Sequence, residues 1–178
     1  LGHVFRHKGG KTVNEGLFNA FTEFNFTTNA LCKNAEFARL HGFEGLVCPP
    51  GLVMNVVFSQ TVEDISENAR ANLEYINMRF GAPVYVGDTL EAETTVVGIK
   101  PSSKDNDRGV VHVSTVGRKQ DGRVVIAFER KVQVWKKDLA AKVDAGELDE
   151  KPSVECSPEI PAWDPGADYA SRAYLSSD

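Results

Sequence analysis

The chain opens with weak alternation over residues 3–8, closed by Gly9-Gly10, as a short strand and turn would be. Thr12-Val13-Asn14-Glu15 then supplies a helix start, with Thr12 or Asn14 as its cap. Leu17, Phe18, Phe21 and Phe24 follow at helical spacing, so one face is aromatic and reads as core rather than as a ligand surface. Residues 25–33 are polar and irregular. Asn34-Ala35-Glu36-Phe37-Ala38-Arg39 predicts a short helix stopped by Gly42. Residues 52–58 form a nearly continuous apolar run. Its length does not separate a buried helix from a buried strand, but Pro49-Pro50 ahead of it favours a helix, because proline fits the first turn where its missing N–H is not needed.

Beyond Ala71 the period shortens. Residues 73–80 read as a strand ending at Gly81-Ala82-Pro83, and Val86-Gly87-Asp88-Thr89 as a tight turn. Residues 90–99 alternate, with Ala92, Thr94 and Val96 on one side. Residues 101–109 are a polar loop, and residues 110–116 are rich in β-branched side chains. Gln120-Asp121-Gly122 is a hairpin signal, and residues 124–135 close the set with Val124, Ile126, Phe128, Val132 and Val134. A helical first part followed by four antiparallel-style strands is an α+β pattern: an antiparallel sheet wrapped around a central apolar helix over about residues 50–62.

Charge changes the picture at one end. Residues 1–137 carry a net +2 and residues 138–178 a net −7, and the acidic stretch holds four of the eight prolines. It reads as a linker or extended arm, with Ile160-Pro161-Ala162-Trp163 apolar enough to dock on another surface. The length of 178 residues suits one domain plus such a tail. An acidic chain without a Lys/Arg cluster argues against nucleic acid as a partner. No leader or membrane-spanning run is expected, and three cysteines (Cys32, Cys48, Cys156) without a C-x-x-C spacing fit a reducing, cytoplasmic setting and no metal.

Residues 29–45, NALCKNAEFARLHGFEG, resemble the hydratase motif of the MaoC-like (R)-specific enoyl-CoA hydratases, with Glu36-Phe37-Ala38-Arg39 and Gly42-Phe43 anchoring the likeness. The pieces TVEDIS, ANLEY, RFGAPVYVGDTL and GVVHV resemble one branch more closely: the N-terminal half of the two-hot-dog mesaconyl-CoA hydratases. The resemblance covers residues 1–137 and implies a hot-dog fold. It implies hydro-lyase chemistry on a branched dicarboxylyl-CoA, with CoA as part of the substrate and no separate cofactor. In that family an Asp and a His five positions apart activate water and protonate carbon, and a backbone N–H at the start of the central helix stabilises the enolate oxygen. The family fingerprint D-x-N-P-x-H falls here on Thr27, Asn29, Ala30 and Cys32, so the acid and base are both missing. The oxyanion-hole glycine falls on Pro50, or on Gly51 with a shift of one residue. The departures imply a non-catalytic half that keeps the fold and helps to bind acyl-CoA, with catalysis in a second hot-dog domain or a homo-oligomer. Asn29, Pro50, Gly51, Arg79, Phe80 and Tyr85 are the candidate substrate contacts.

Other readings carry less weight. Cys32 with His41 would make a nucleophile and base, but a small buried thiol and a helix C-terminal histidine account for both. Glu63 and Asp64 would suit a thioesterase, but read first as a solvated helix end. A non-catalytic acyl-CoA-binding protein is the remaining alternative. His112, among alternating valines, is expected to face solvent or a partner, and Gly87-Asp88 to serve the turn.

Overall fold

The computed structural model describes residues 1–67, 69–102 and 108–135. The acidic segment 138–178, with Cys156 and residues 160–163, lies outside the described residues. The elements run β1 (Val4–Arg6), β2 (Lys11–Thr12), α1 (Glu15–Phe24), α2 (Ala35–Leu40), α3 (Pro50–Gln60), β3 (Ala69–Phe80), β4 (Thr89–Pro101), β5 (Arg108–Lys119) and β6 (Val124–Trp135). Among the described residues the strands form one antiparallel sheet in the order β1-β4-β5-β6-β3, with β2 also pairing β4.

Local chemistry explains the helix boundaries. Asn14 caps α1 by accepting from Leu17 N at 2.8 Å, which leaves Thr12 to β2. Asn34 caps α2 by accepting from Phe37 N at 3.0 Å. Pro49 and Pro50 open α3 without a side-chain cap. The polar stretch before α2 folds into a 3-10 turn at Ala30–Cys32, and α3 runs on into a π-helical turn at Val62–Ser66.

The core lies between α3 and the sheet. Leu52, Val53, Val56 and Val57 are buried against Leu90 and Ala92 of β4 and against Ile126 and Phe128 of β6. The expected inward row on β4 is present: Leu90, Ala92, Thr94 and Val96 are all buried. Gly117 is where helix and sheet come closest. A Cβ there would stand 2.5 Å from Val57 Cγ2 and 2.9 Å from Ile126 Cγ2, so only glycine lets α3 settle on β5. The strand expected over 73–80 begins earlier, at Ala69, and its pairing with β6 shifts register three times. Helix α1 packs Leu17, Phe18 and Phe21 on the core.

Candidate functional site

The amino end of α3 is the chemically exposed point of the helix. Pro50 occupies its first position and has no N–H. Leu52 N and Val53 N bond back to Pro49 O at 2.9 and 3.2 Å. The Gly51 N–H is therefore the first donor of the helix, exposed and with no partner among the described residues. A Cβ on Gly51 would come within 3.1 Å of Phe21 Cζ, so the small residue also keeps this end clear of α1. Of the two residues singled out in the sequence, Gly51 therefore carries a backbone donor and Pro50 does not.

The fingerprint loop is held by its own backbone. Asn29 is exposed, and its Oδ1 accepts from Leu31 N at 3.0 Å to cap the 3-10 turn. Leu31 O accepts from Val47 N at 3.0 Å, and Cys48 N donates to Val84 O at 2.8 Å. The loop is thus laced to the segment that leads into α3. Cys32 and Cys48 are buried free thiols. Burial pushes Cys32 up from its ordinary pKa. It pushes Cys48 to about 12, with the nearby Asp88 carboxylate and Cys32 adding to the rise. Neither is a thiolate at neutral pH, which removes the nucleophile reading of Cys32. His41 caps the C-terminus of α2, its Nδ1 2.6 Å from Phe37 O, as the helix-end reading requires.

Tyr85 lines a cavity of about 600 Å³ together with Phe18, Asn19, Glu44 and Leu46. Its Oη accepts from Glu44 N at 3.3 Å, and burial raises the phenol. Asp88 does more than serve a turn. Its carboxylate meets Lys119 Nζ at 2.8 Å, accepts from Tyr85 N at 2.8 Å and accepts from Gln120 Nε2 at 2.8 Å. Lys119 is only 5% exposed and lies 5.5 Å above the Tyr85 ring. Gly87, at φ 99°, makes the turn that brings this carboxylate inward. Arg79 and Phe80 lie at the end of the outer strand β3, opposite Ala127 and Ile126, and do not line the Tyr85 cavity.

At the far end of α3, pairs form that sequence spacing does not announce. His7 is buried, with Nδ1 2.6 Å from Asp64 Oδ2 and Nε2 2.8 Å from Thr94 Oγ1, and Thr94 in turn meets Thr115 at 2.9 Å. Asp64 is therefore tied to His7, the residue after β1, and not paired with Glu63. Arg130 is completely buried; its Nη2 donates to Thr61 Oγ1 at 2.8 Å, and burial lowers its pKa from the usual value. His112 is half-buried, with Nε2 2.7 Å from Glu129 Oε2 on β6, so of the two expected faces, solvent or a partner, it meets a side chain of its own sheet. The signal for Arg130 and Lys119 was parity: each continues the inward-facing row of its strand, Phe128-x-Arg130-x-Val132 and Thr115-x-Gly117-x-Lys119.

An antiparallel sheet packed on one apolar helix defines a hot-dog fold. The MaoC like domain family matches residues 1–134, and the chain belongs to that family. It is 41% identical over 138 residues to the β-methylmalyl-CoA dehydratase of Chloroflexus aurantiacus, covering 78% of this chain and 39% of that protein. It is 39% identical over 145 residues to the mesaconyl-CoA hydratase of Cereibacter sphaeroides, covering 82% and 42%. Among solved structures it resembles a MaoC domain protein dehydratase from Chloroflexus aurantiacus (TM-score 0.75, 36% identity, 90% of this chain, 43% of that one). It also resembles a Mycobacterium tuberculosis protein with a double hot-dog fold (TM-score 0.68, 25% identity, 99% of this chain, 50% of that one). The chain spans about two-fifths of the length of the curated relatives it matches. No described helix is long and apolar enough to cross a membrane.

Proposed function

We propose that this chain is one hot-dog half of a hydro-lyase that adds water to the α,β-double bond of a branched dicarboxylyl-CoA such as mesaconyl-CoA. It supplies scaffold and part of the acyl-CoA binding surface, and a second hot-dog domain supplies the acid and base. The observation that carries the reading is the pairing of a retained family fold with Thr27 and Cys32 at the two catalytic positions of the fingerprint.

Hydration places hydroxyl on the β-carbon and a proton on the α-carbon, through an enolate whose charge sits on the thioester oxygen. Thr27 does not ionise near neutral pH, and the Cys32 thiol is held neutral by burial, so neither replaces a carboxylate or an imidazole. What the chain retains is the Gly51 N–H at the positive end of α3, suited to a thioester or enolate oxygen. Both relatives, at about 40% identity, carry names for this chemistry, and a length of about two and a half times the matched stretch leaves room for a second hot dog. The thioesterase alternative loses ground because Asp64 is engaged by His7 at 2.6 Å. A non-catalytic acyl-CoA-binding protein is the outcome if no hydration is found.

The test is a hydration assay with mesaconyl-CoA on the 178-residue chain and on the same chain carried through the rest of its reading frame. The longer polypeptide is expected to turn over and the 178 residues alone to be at least a thousandfold slower. Full turnover by the 178 residues alone overturns the division of labour and returns catalysis to the loop around Asn29.

A further inference from the structure

Helix α3 rests on the sheet with one face, but its outward stripe is open: Gly51, Asn55 and Ser59 recur at helical spacing and are all exposed. Beside that stripe runs a groove of about 420 Å³, whose apolar lining is Leu17 and Phe21 of α1 with Leu52 and Val56 of α3. No acidic side chain lines it, and the exposed Lys11 stands at its rim. Lys11 lies opposite Leu90 in the β2–β4 pairing, and Gln60 Nε2 donates to Leu90 O at 3.1 Å. The cation therefore marks the carboxyl end of α3, about 13 Å from Gly51 at the helical rise of about 1.5 Å per residue. It meets no carboxylate among the described residues.

The sequence holds a segment suited to this groove. Ile160-Pro161-Ala162-Trp163 is apolar and is bounded by the carboxylates of Glu159 and Asp164. An indole brings about 150–250 Å² of surface to bury, and either carboxylate complements Lys11. Two other surfaces compete and fit less well. The Tyr85 cavity carries Glu15 and Glu44, which repel an acidic arm. The β3 edge asks an added strand for backbone donors, and Pro158 and Pro161 have none to give. Reach favours the chain's own arm over a neighbour's. Ile160 stands about 25 residues beyond Trp135, a span of about 25–30 Å for a flexible chain. A tether of that kind gives an effective concentration on the order of millimolar, so a weak contact suffices.

We propose that Ile160-Pro161-Ala162-Trp163 docks in the groove beside α3 of its own chain, at the Lys11 end. The Trp163 ring lies on Leu17 and Val56, and a flanking carboxylate meets the Lys11 ammonium. The acidic arm thereby covers the outward side of the central helix and is pinned to the domain it leaves. This assignment does not depend on the hydratase reading.

Trp135 and Trp163 are the two tryptophans of the chain, so Trp135→Phe leaves Trp163 as its single fluorescent indole. In that 178-residue chain the emission is expected to lie to the blue of the same chain unfolded in guanidinium, with acrylamide quenching at least threefold weaker. Lys11→Glu turns the attraction into repulsion, and Ser59→Glu puts a carboxylate on the groove itself. Each is expected to remove at least half of both differences. Both positions are exposed, and cooperative melting verifies that each variant folds. Lys11→Arg is expected to keep the protection, and Glu44→Lys, in the Tyr85 cavity, to leave it unchanged. A Trp163 as open in the folded chain as in guanidinium overturns the assignment. So does a protected Trp163 that ignores both groove variants or responds to Glu44→Lys instead, since the arm then lies on another surface. Protection that fades over a hundredfold dilution gives the groove to the arm of a second copy and overturns docking within the chain.

Discussion

Asp88 shows how one residue of a turn motif reaches into the core. Burial alone would raise its pKa. The hydrogen bonds from Lys119, the Tyr85 N–H and Gln120, together with the Lys119 charge, outweigh that and hold the carboxyl below its ordinary value. A folded-state pKa below the unfolded one gives stability that is fully present above about pH 4 and is lost as pH falls through the folded value. Asp88→Asn should therefore flatten the acid limb of a stability-against-pH curve. It should also cost about 3 kcal/mol at neutral pH, because Lys119 is left buried and unpaired. Denaturant unfolding between pH 7 and 3 checks both; a variant with an unchanged acid limb sinks the assignment. None of this could be read from residue order. Asp88 and Lys119 are joined only once β4 and β5 pair, as Arg130 meets Thr61 and His7 meets Asp64 only in the fold. The turn at Gly87, the cap at Asn14 and the helix end at His41 were legible because their chemistry lies within a few residues.

At the scale of elements, legibility followed periodicity. The four long strands and α3 carry strong apolar patterns, and each exists where the pattern centres it, although β3 and β5 run longer than expected. The start of β3 was missed because Ala69 to Asn72 lacks alternating apolar residues and is held by pairing with β6 instead. The placement of α3 turns on Gly117. Gly117→Ala adds a methyl group where Val57 and Ile126 already stand, and overpacking of this kind costs about 1–3 kcal/mol. Val57→Ala makes room at that point and should itself cost about 2 kcal/mol for lost burial. In the double variant the two defects share one space, so the combined loss should fall short of the sum by about 1 kcal/mol. Chemical denaturation of the four proteins measures the coupling; strict additivity would show that α3 does not rest on Gly117. The π-helical turn after α3 is pinned separately. Ala at His7 removes the partner of both Asp64 and Thr94, and should cost about 2 kcal/mol while speeding amide exchange through Val62–Ser66.

For the whole molecule, the decisive feature is the outer edge of β3. It is a twelve-residue strand with no hydrogen-bonded neighbour on its far side among the described residues. Leu73 is 52% exposed along it, Tyr75 41% and Phe80 44%. A long edge strand with exposed apolar side chains is a template for pairing unless something covers it. The relatives run to about two and a half times the matched length, and one solved relative is a double hot dog, so the proposed cover is a second domain of the same fold. The same strand carries Arg79 and Phe80, and its Asn72 contacts Arg130. The 178 residues made alone should therefore self-associate through β3. Lys at both Leu73 and Phe80 puts two like charges on the edge, and in sedimentation experiments should convert the dimer to a monomer with an unchanged melting curve. The same pair in the longer polypeptide, where the cover is covalently attached, should leave the mass unchanged. It should instead lower hydration of mesaconyl-CoA, since the two halves then meet across a charged edge. A 178-residue chain that stays monomeric at every concentration tested, or a dimer indifferent to both lysines, would place the interface on another face.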